Sequence, residues 1–128
     1  AHVYLDVSGS MKTERPALIA LLARLSGHIR RPFWAFSDEV VPARIKQGKL
    51  VTSTTGGTSM ACVLRHVIET RPRAVVVITD GFIEALDPEL VAKARHVARL
   101  HAVVARHGSP AALKVAGIPY TQLQRYPS

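Results

Sequence analysis

Apolar and polar positions along this chain switch between a period of two and a period near 3.6, and the switches divide it into elements. His2–Val7 is rich in Val, Tyr and Leu and runs into Ser8-Gly9-Ser10, which predicts a strand ending in a Gly/Ser turn. Leu18, Leu22, Leu25 and Ile29 recur at steps of four, three and four, the stripe of a helix that ends near Gly27–Arg31. Thr13 is its candidate cap, and Pro16 is tolerable in a first turn. Phe33–Ser37 and Val40–Ile45 predict two short strands joined tightly through Asp38-Glu39. Pro42 has no amide proton to give a ladder, so the second of these belongs on a sheet edge. Gln47-Gly48-Lys49 predicts a turn, and Thr52–Thr58 a polar loop.

Beyond that loop, Val63, Leu64, Val67 and Ile68 mark a helix that starts at Ser59 and stops before Pro72. Ala74–Thr79 is apolar without alternation, as in a parallel strand covered on both faces, and it ends in Asp80-Gly81. Pro88–Ala98 predicts a helix, Leu100–Ala105 a strand, Ser109–Ala116 a short helix and Ile118–Leu123 a last strand. Strands alternating with helices imply right-handed crossovers and an open, mostly parallel sheet between helical layers, an α/β fold. No repeat, linker or low-complexity tract interrupts residues 1–128, so a single domain is expected.

Composition narrows the setting. Of the 128 residues, 48% are hydrophobic, enough for a packed core and too many for a disordered chain. Lys and Arg outnumber Asp and Glu by 17 to 9, and the resulting formal charge of +8 favours acidic partners. The basic residues are scattered from Lys12 to Arg125, without the aromatic signature of an RNA binder or the Cys/His spacing of a finger, so nucleic acid is not the expected partner. Cys62 is the only cysteine and has no intrachain disulfide partner, which points to a reducing, cytoplasmic setting. The longest apolar stretches, Ala17–Ala23 and Ala74–Ile78, fall short of the roughly 18 residues that span a bilayer, so no membrane segment is expected. The chain opens into a strand without a leader-like run, so no signal peptide is expected, and without an initial Met, as a piece of something longer would.

In sheets of this kind, ligands bind beyond the carboxyl ends of the strands where the strand order reverses. Asp6, Ser8 and Ser10 lie at one candidate end, Asp80 at another, and Thr58 in a loop able to fold over them. All five offer oxygen, which suits a hard cation, Mg²⁺ or Mn²⁺ ahead of Ca²⁺, rather than zinc. A turn at Gly9 lets Ser8 and Ser10 face the side of Asp6, and Gly56-Gly57 frees the backbone for a close approach by Thr58. Asp80 follows a rigid buried strand that fixes one wall.

Asp6-Val7-Ser8-Gly9-Ser10, then Thr58 after Gly56-Gly57, then Thr79-Asp80-Gly81 after an apolar strand, resembles the metal-ion-dependent adhesion site (MIDAS) of the von Willebrand factor A domain family. The pieces stand in the family's order, and the βαβ pattern matches over nearly all the chain. The resemblance implies a three-layer, Rossmann-like, doubly wound sheet with an antiparallel edge strand, here Val40–Ile45. It implies that the hydroxyls of Ser8, Ser10 and Thr58 bind the ion directly while Asp6 and Asp80 act through water or as hydrogen-bond acceptors behind the direct ligands. The cation then stays electrophilic and keeps a position for the Glu or Asp of a partner protein. The intracellular branch of the family, which often works beside AAA-type ATPases, is the expected setting, and the function is binding rather than catalysis. The chain is shorter than most members, so trimmed loops are expected, and the moving C-terminal helix of signalling members is not carried over.

Two enzymatic readings compete. Mg²⁺ beside carboxylates can activate water, as in a metal-assisted hydrolase acting on phosphoesters, but no general base stands out. Gly57-Thr58-Ser59-Met60-Ala61 resembles the nucleophile segment of subtilisin-like proteases, with Asp6 and His107 as triad partners, yet His107 follows Ser59, Val63 stands where a Pro is expected, and the chain is too short for that fold. Asp80 also suits a turn before Gly81, and Thr58 an N-cap for the helix after it. Of the remaining groups, His2 and His101 read as satisfied structural histidines, and His28, His66 and His96 as solvated. Cys62, Trp34 and Phe36 read as packing residues.

Overall fold

The structure, a computed structural model, describes residues 2–7, 16, 33–37, 39–46, 49–51 and 59–123. Its strands are β1 (His2–Asp6), β2 (Phe33–Phe36), β3 (Val40–Pro42), β4 (Arg44–Lys46), β5 (Lys49–Val51), β6 (Ala74–Thr79), β7 (Arg99–Val104) and β8 (Tyr120–Gln122). Three helices lie within residues 59–123: α1 (Met60–Thr70), α2 (Pro88–Val97) and α3 (Ala111–Ala116). The predicted helix through Leu18–Ile29 lies outside the described residues.

Six strands form one sheet in the order β3-β2-β1-β6-β7-β8, all neighbours parallel except the antiparallel pair β2·β3 at one edge. This is the doubly wound α/β sheet with an antiparallel edge strand that the sequence led us to expect. The predicted edge strand Val40–Ile45 is corrected in one respect: it divides at Ala43. Val40–Pro42 pairs with β2, whereas β4 turns away to make a separate hairpin with β5, Ile45 opposite Leu50. Pro42 cannot donate to a continued ladder, and the chain leaves the sheet directly after it. Lys49, assigned to a turn, opens β5.

Alternation of side chains across the sheet builds two cores. Tyr4, Phe36, Val75, Val77 and Ala102 face α1 and α2, where Met60, Val63, Leu64 and Val67 of α1 meet Val91 and Ala94 of α2. Val3, Leu5, Val7, Ala35 and Ile78 are buried on the opposite face. Of the stripe read from the sequence, Val63, Leu64 and Val67 are buried and Ile68 is partly buried against them, with Met60 added at the start, and the end of the helix is equally local. Arg71 adopts a left-handed φ of 51°, its N–H closes on the Val67 carbonyl at 2.8 Å, and Pro72 prevents another turn.

His66, expected to be solvated, is instead half-buried against β1 and β2. Its Nδ1 lies 2.7 Å from the Tyr4 hydroxyl, and its ring stands edge-on to Trp34 with centroids 4.4 Å apart. His2 approaches the same hydroxyl at 3.1 Å. An expectation drawn from position on a helix alone could not see that Tyr4, 62 residues away, offers a buried partner. His101 bonds to Thr121 Oγ1 at 2.8 Å, in keeping with a satisfied strand histidine, and His96 is exposed.

Burial lowers the pKa of both His2 and His66 from the ordinary 6.5; the neighbouring His66 lowers His2 further, and Glu69 acts against the shift at His66. The folded state therefore binds these protons less readily than the unfolded chain. Stability from this cluster is fully present above the unfolded pKa and declines as pH falls below it. The urea midpoint is expected to drop between pH 7.5 and 5, with a shallower drop in His66→Gln; parallel profiles for the two proteins would assign the pH dependence elsewhere.

Candidate functional site

The strand order reverses at β1: the chain goes to β2 on one side of it and then, through α1, to β6 on the other. The carboxyl ends of β1, β2 and β6 thus lie side by side, and their sequences place Asp6, Ser37 and Thr79-Asp80 at one edge, all four buried. Asp6 shares the face of Tyr4, and Thr79 the face of Val77, opposite Tyr4 in the ladder. Both therefore point toward the α1 side, where Thr79 Oγ1 donates to Asp6 Oδ2 at 2.7 Å. The same hydroxyl accepts the N–H of Gly81 at 3.2 Å. Asp80 Oδ1 accepts the Phe82 N–H at 3.1 Å, a turn that leaves Phe82 58% exposed beside the site.

The loops after β6 and β7 are zipped together below this edge. Ala105 N–H reaches the Thr79 carbonyl and Ser109 N–H the Asp80 carbonyl, each at 2.8 Å. Glycine permits this approach. Gly81 has φ +80°, and a Cβ there would lie 1.8 Å from the Ser109 carbonyl oxygen, while one on Gly108 would lie 2.2 Å from that of Asp80. The wall that carries Asp80 is thus set by backbone against backbone.

Helix α1 begins at the same edge. The N–H of Ser59 donates to the Ser37 carbonyl at 2.6 Å, and the Ser59 hydroxyl caps the helix by accepting the Cys62 N–H at 3.3 Å. The cap is Ser59, not Thr58. The next donors are taken by Glu84, from the loop after β6: its Oε1 accepts the Met60 N–H at 2.7 Å, and its Oε2 accepts the Ala61 N–H at 3.2 Å and the Ser59 hydroxyl at 3.3 Å. The first-turn donors of α1 are thereby satisfied in part by a distant side chain.

Of the five predicted site residues, Asp6 and Asp80 are brought to one edge of the sheet. Ser8, Ser10 and Thr58 lie outside the described residues; Ser8 follows Asp6 by two positions and Thr58 directly precedes Ser59. Among the described residues, no group of three or more His, Cys, Asp or Glu is arranged to hold a metal. The donors at the edge are two buried carboxylates and hydroxyls, an oxygen set that fits a hard cation. The pattern-based reading missed Ser37, Thr79 and Glu84. Thr79 had a visible signal, as the last residue of the strand before Asp80. Glu84 had none, because its partners lie 23 to 25 residues earlier in the chain.

No protein-family profile and no curated protein matches the chain. Solved structures do. A conserved hypothetical protein BatB from Bacteroides thetaiotaomicron superposes with a TM-score of 0.64 at 14% identity, covering 95% of this chain and 88% of that one. An aerotolerance-related membrane protein from Bacteroides fragilis NCTC 9343, with multiple mutations to serines, gives 0.64 at 13% identity, covering 95% and 90%. The likeness is one of fold, and it extends over nearly the whole of each chain. Among the described residues, no helix is long and apolar enough to cross a membrane.

Proposed function

We propose that this chain is a metal-dependent protein-binding module of von Willebrand A type, in which Ser8, Ser10 and Thr58, with Asp6 and Asp80 behind them, hold Mg²⁺ or Mn²⁺ for an acidic side chain of a partner protein. The observation that supports the reading is that Asp6 and Asp80, both buried, stand at the ends of neighbouring strands where the strand order reverses. The VWA-like fold shared with the BatB-type structures supports the same reading.

Each residue has a physical task. Thr79 holds the Asp6 carboxylate in one orientation, and the Phe82 N–H does so for Asp80. Neutral hydroxyls from Ser8, Ser10 and Thr58 neutralise little of the cation's charge. A bound divalent ion supplies an electrophilic position for an outside carboxylate. The surplus of Lys and Arg steers an acidic partner to the domain.

Isothermal titration with MgCl₂, followed by a Glu-containing peptide, tests this. The wild type is expected to take up one ion and to bind the peptide only with metal present. Replacing both Ser8 and Ser10 by Ala removes two ligands and is expected to weaken Mg²⁺ binding at least about 100-fold, near 2.7 kcal/mol. Unchanged ion and peptide binding in the double variant would overturn the proposal. Metal-dependent turnover of phosphoesters, lost on changing Asp80, would favour a hydrolase instead.

A further inference from the structure

We infer that Glu84 is a positioning residue for this cation site: its carboxylate straps the loop that leaves Asp80 onto the turn of backbone that follows Thr58. The inference rests on the metal-dependent reading above and deepens it.

The strap is visible in three contacts. Glu84 uses both oxygens, taking the N–H groups of Met60 and Ala61 and the hydroxyl of Ser59. Glu84 stands four residues after Asp80, and Ser59 is bonded directly to Thr58 in the chain. One side chain therefore bridges two of the three sequence stretches that supply the site. The third stretch joins through Ser37: its carbonyl receives Ser59 N–H, and it follows Phe36, which lies beside Asp6 in the sheet.

The loop needs such a tie. Residues 82–87 form neither helix nor strand, and near the start of the loop Phe82 N–H bonds to Asp80 and Ile83 N–H to Gly81. Those bonds shape the turn locally, whereas the Glu84 contacts fasten it to a different element. Immobilising α1 against the Asp80 loop lowers the ordering that ion binding must impose on both.

Charge adds a second effect. The first turn of α1 contains no acidic residue of its own, and a helix start behaves as roughly half a positive charge. Beside a divalent cation held largely by neutral hydroxyls, that end is repulsive. The Glu84 carboxylate offsets it at the backbone where it arises.

Glu84→Gln tests the charge through its salt dependence, because the amide retains the shape and one acceptor while losing the charge and one of the accepting oxygens. Its urea midpoint without metal is expected to fall, since the amide NH₂ meets a backbone donor, while the Mg²⁺ dissociation constant of the folded protein rises roughly three- to tenfold in low salt. The difference should narrow at high ionic strength, a dependence that a packing role would not produce. Ser59→Ala, which removes one of the three contacts and also the α1 cap while keeping the Glu84 charge, is expected to weaken Mg²⁺ binding by a smaller factor that does not narrow with salt, and it carries the test if Glu84→Gln fails to fold. If the wild type binds Mg²⁺ and both variants match it, the strap is refuted while the cation site stands. If the wild type binds no Mg²⁺, the cation reading falls and the strap falls with it.

Discussion

Gly81→Ala is expected to lower the unfolding free energy by about 3–5 kcal/mol, measured as a shifted urea midpoint at constant slope. Two costs combine. A φ of +80° holds an L side chain in the left-handed region, at about 1–2 kcal/mol, and the new Cβ would sit 1.8 Å from the Ser109 carbonyl oxygen. Because the obstacle is backbone, no rotamer relieves it; the loops after β6 and β7 must separate. That parts the Ser109 N–H from the Asp80 carbonyl and moves Asp80 from the edge it shares with Asp6. Against a total stability typically of 5–15 kcal/mol, such a loss is a large fraction. On the proposed cation reading, weaker Mg²⁺ binding is expected to accompany it. A variant as stable as the wild type would show that the two loops are not pressed together as described.

Thr79→Val is expected to cost about 2–4 kcal/mol although it preserves side-chain volume and shape. The Thr79 hydroxyl is buried, donates to Asp6 at 2.7 Å and accepts from Gly81 N–H at 3.2 Å. A methyl group in its place removes a donor from a buried carboxylate and leaves the Gly81 amide short of an acceptor. Both deficits fall on groups that water reaches poorly. The cation reading adds a sign: Mg²⁺ should stabilise the variant less than the wild type in thermal denaturation, because Asp6 loses one of the donors that orient it. An equal metal-induced rise in both proteins, together with equal metal-free stability, would remove Thr79 from the site.

How much of this was legible beforehand follows from where each piece of information sits in the chain. The Ala74–Thr79 run, the α1 stripe of Val63, Leu64 and Val67, and the stop at Pro72 are local patterns, and the structure reproduces them within a residue or two. Asp6 and Asp80 were legible as candidates because each ends a strand, and strand ends meet where a parallel sheet reverses its order. Pro42 gave the edge position of β3, yet the escape of Arg44–Lys46 into a hairpin with Lys49–Val51 was hidden, since both short segments read as turn or as continuation.

The sequence by itself determined the class of fold and the order of most of the described elements, since hydrophobic period and chain punctuation are properties of neighbouring residues. Tertiary structure alone decided that His66 shares the Tyr4 hydroxyl with His2, that Thr79 orients Asp6, and that Glu84 closes the start of α1. Apart from His2–Tyr4, those contacts join residues 24 to 73 positions apart, and which distant groups meet is set by the register of parallel strands and the packing of helices across them, quantities that no short window of sequence contains.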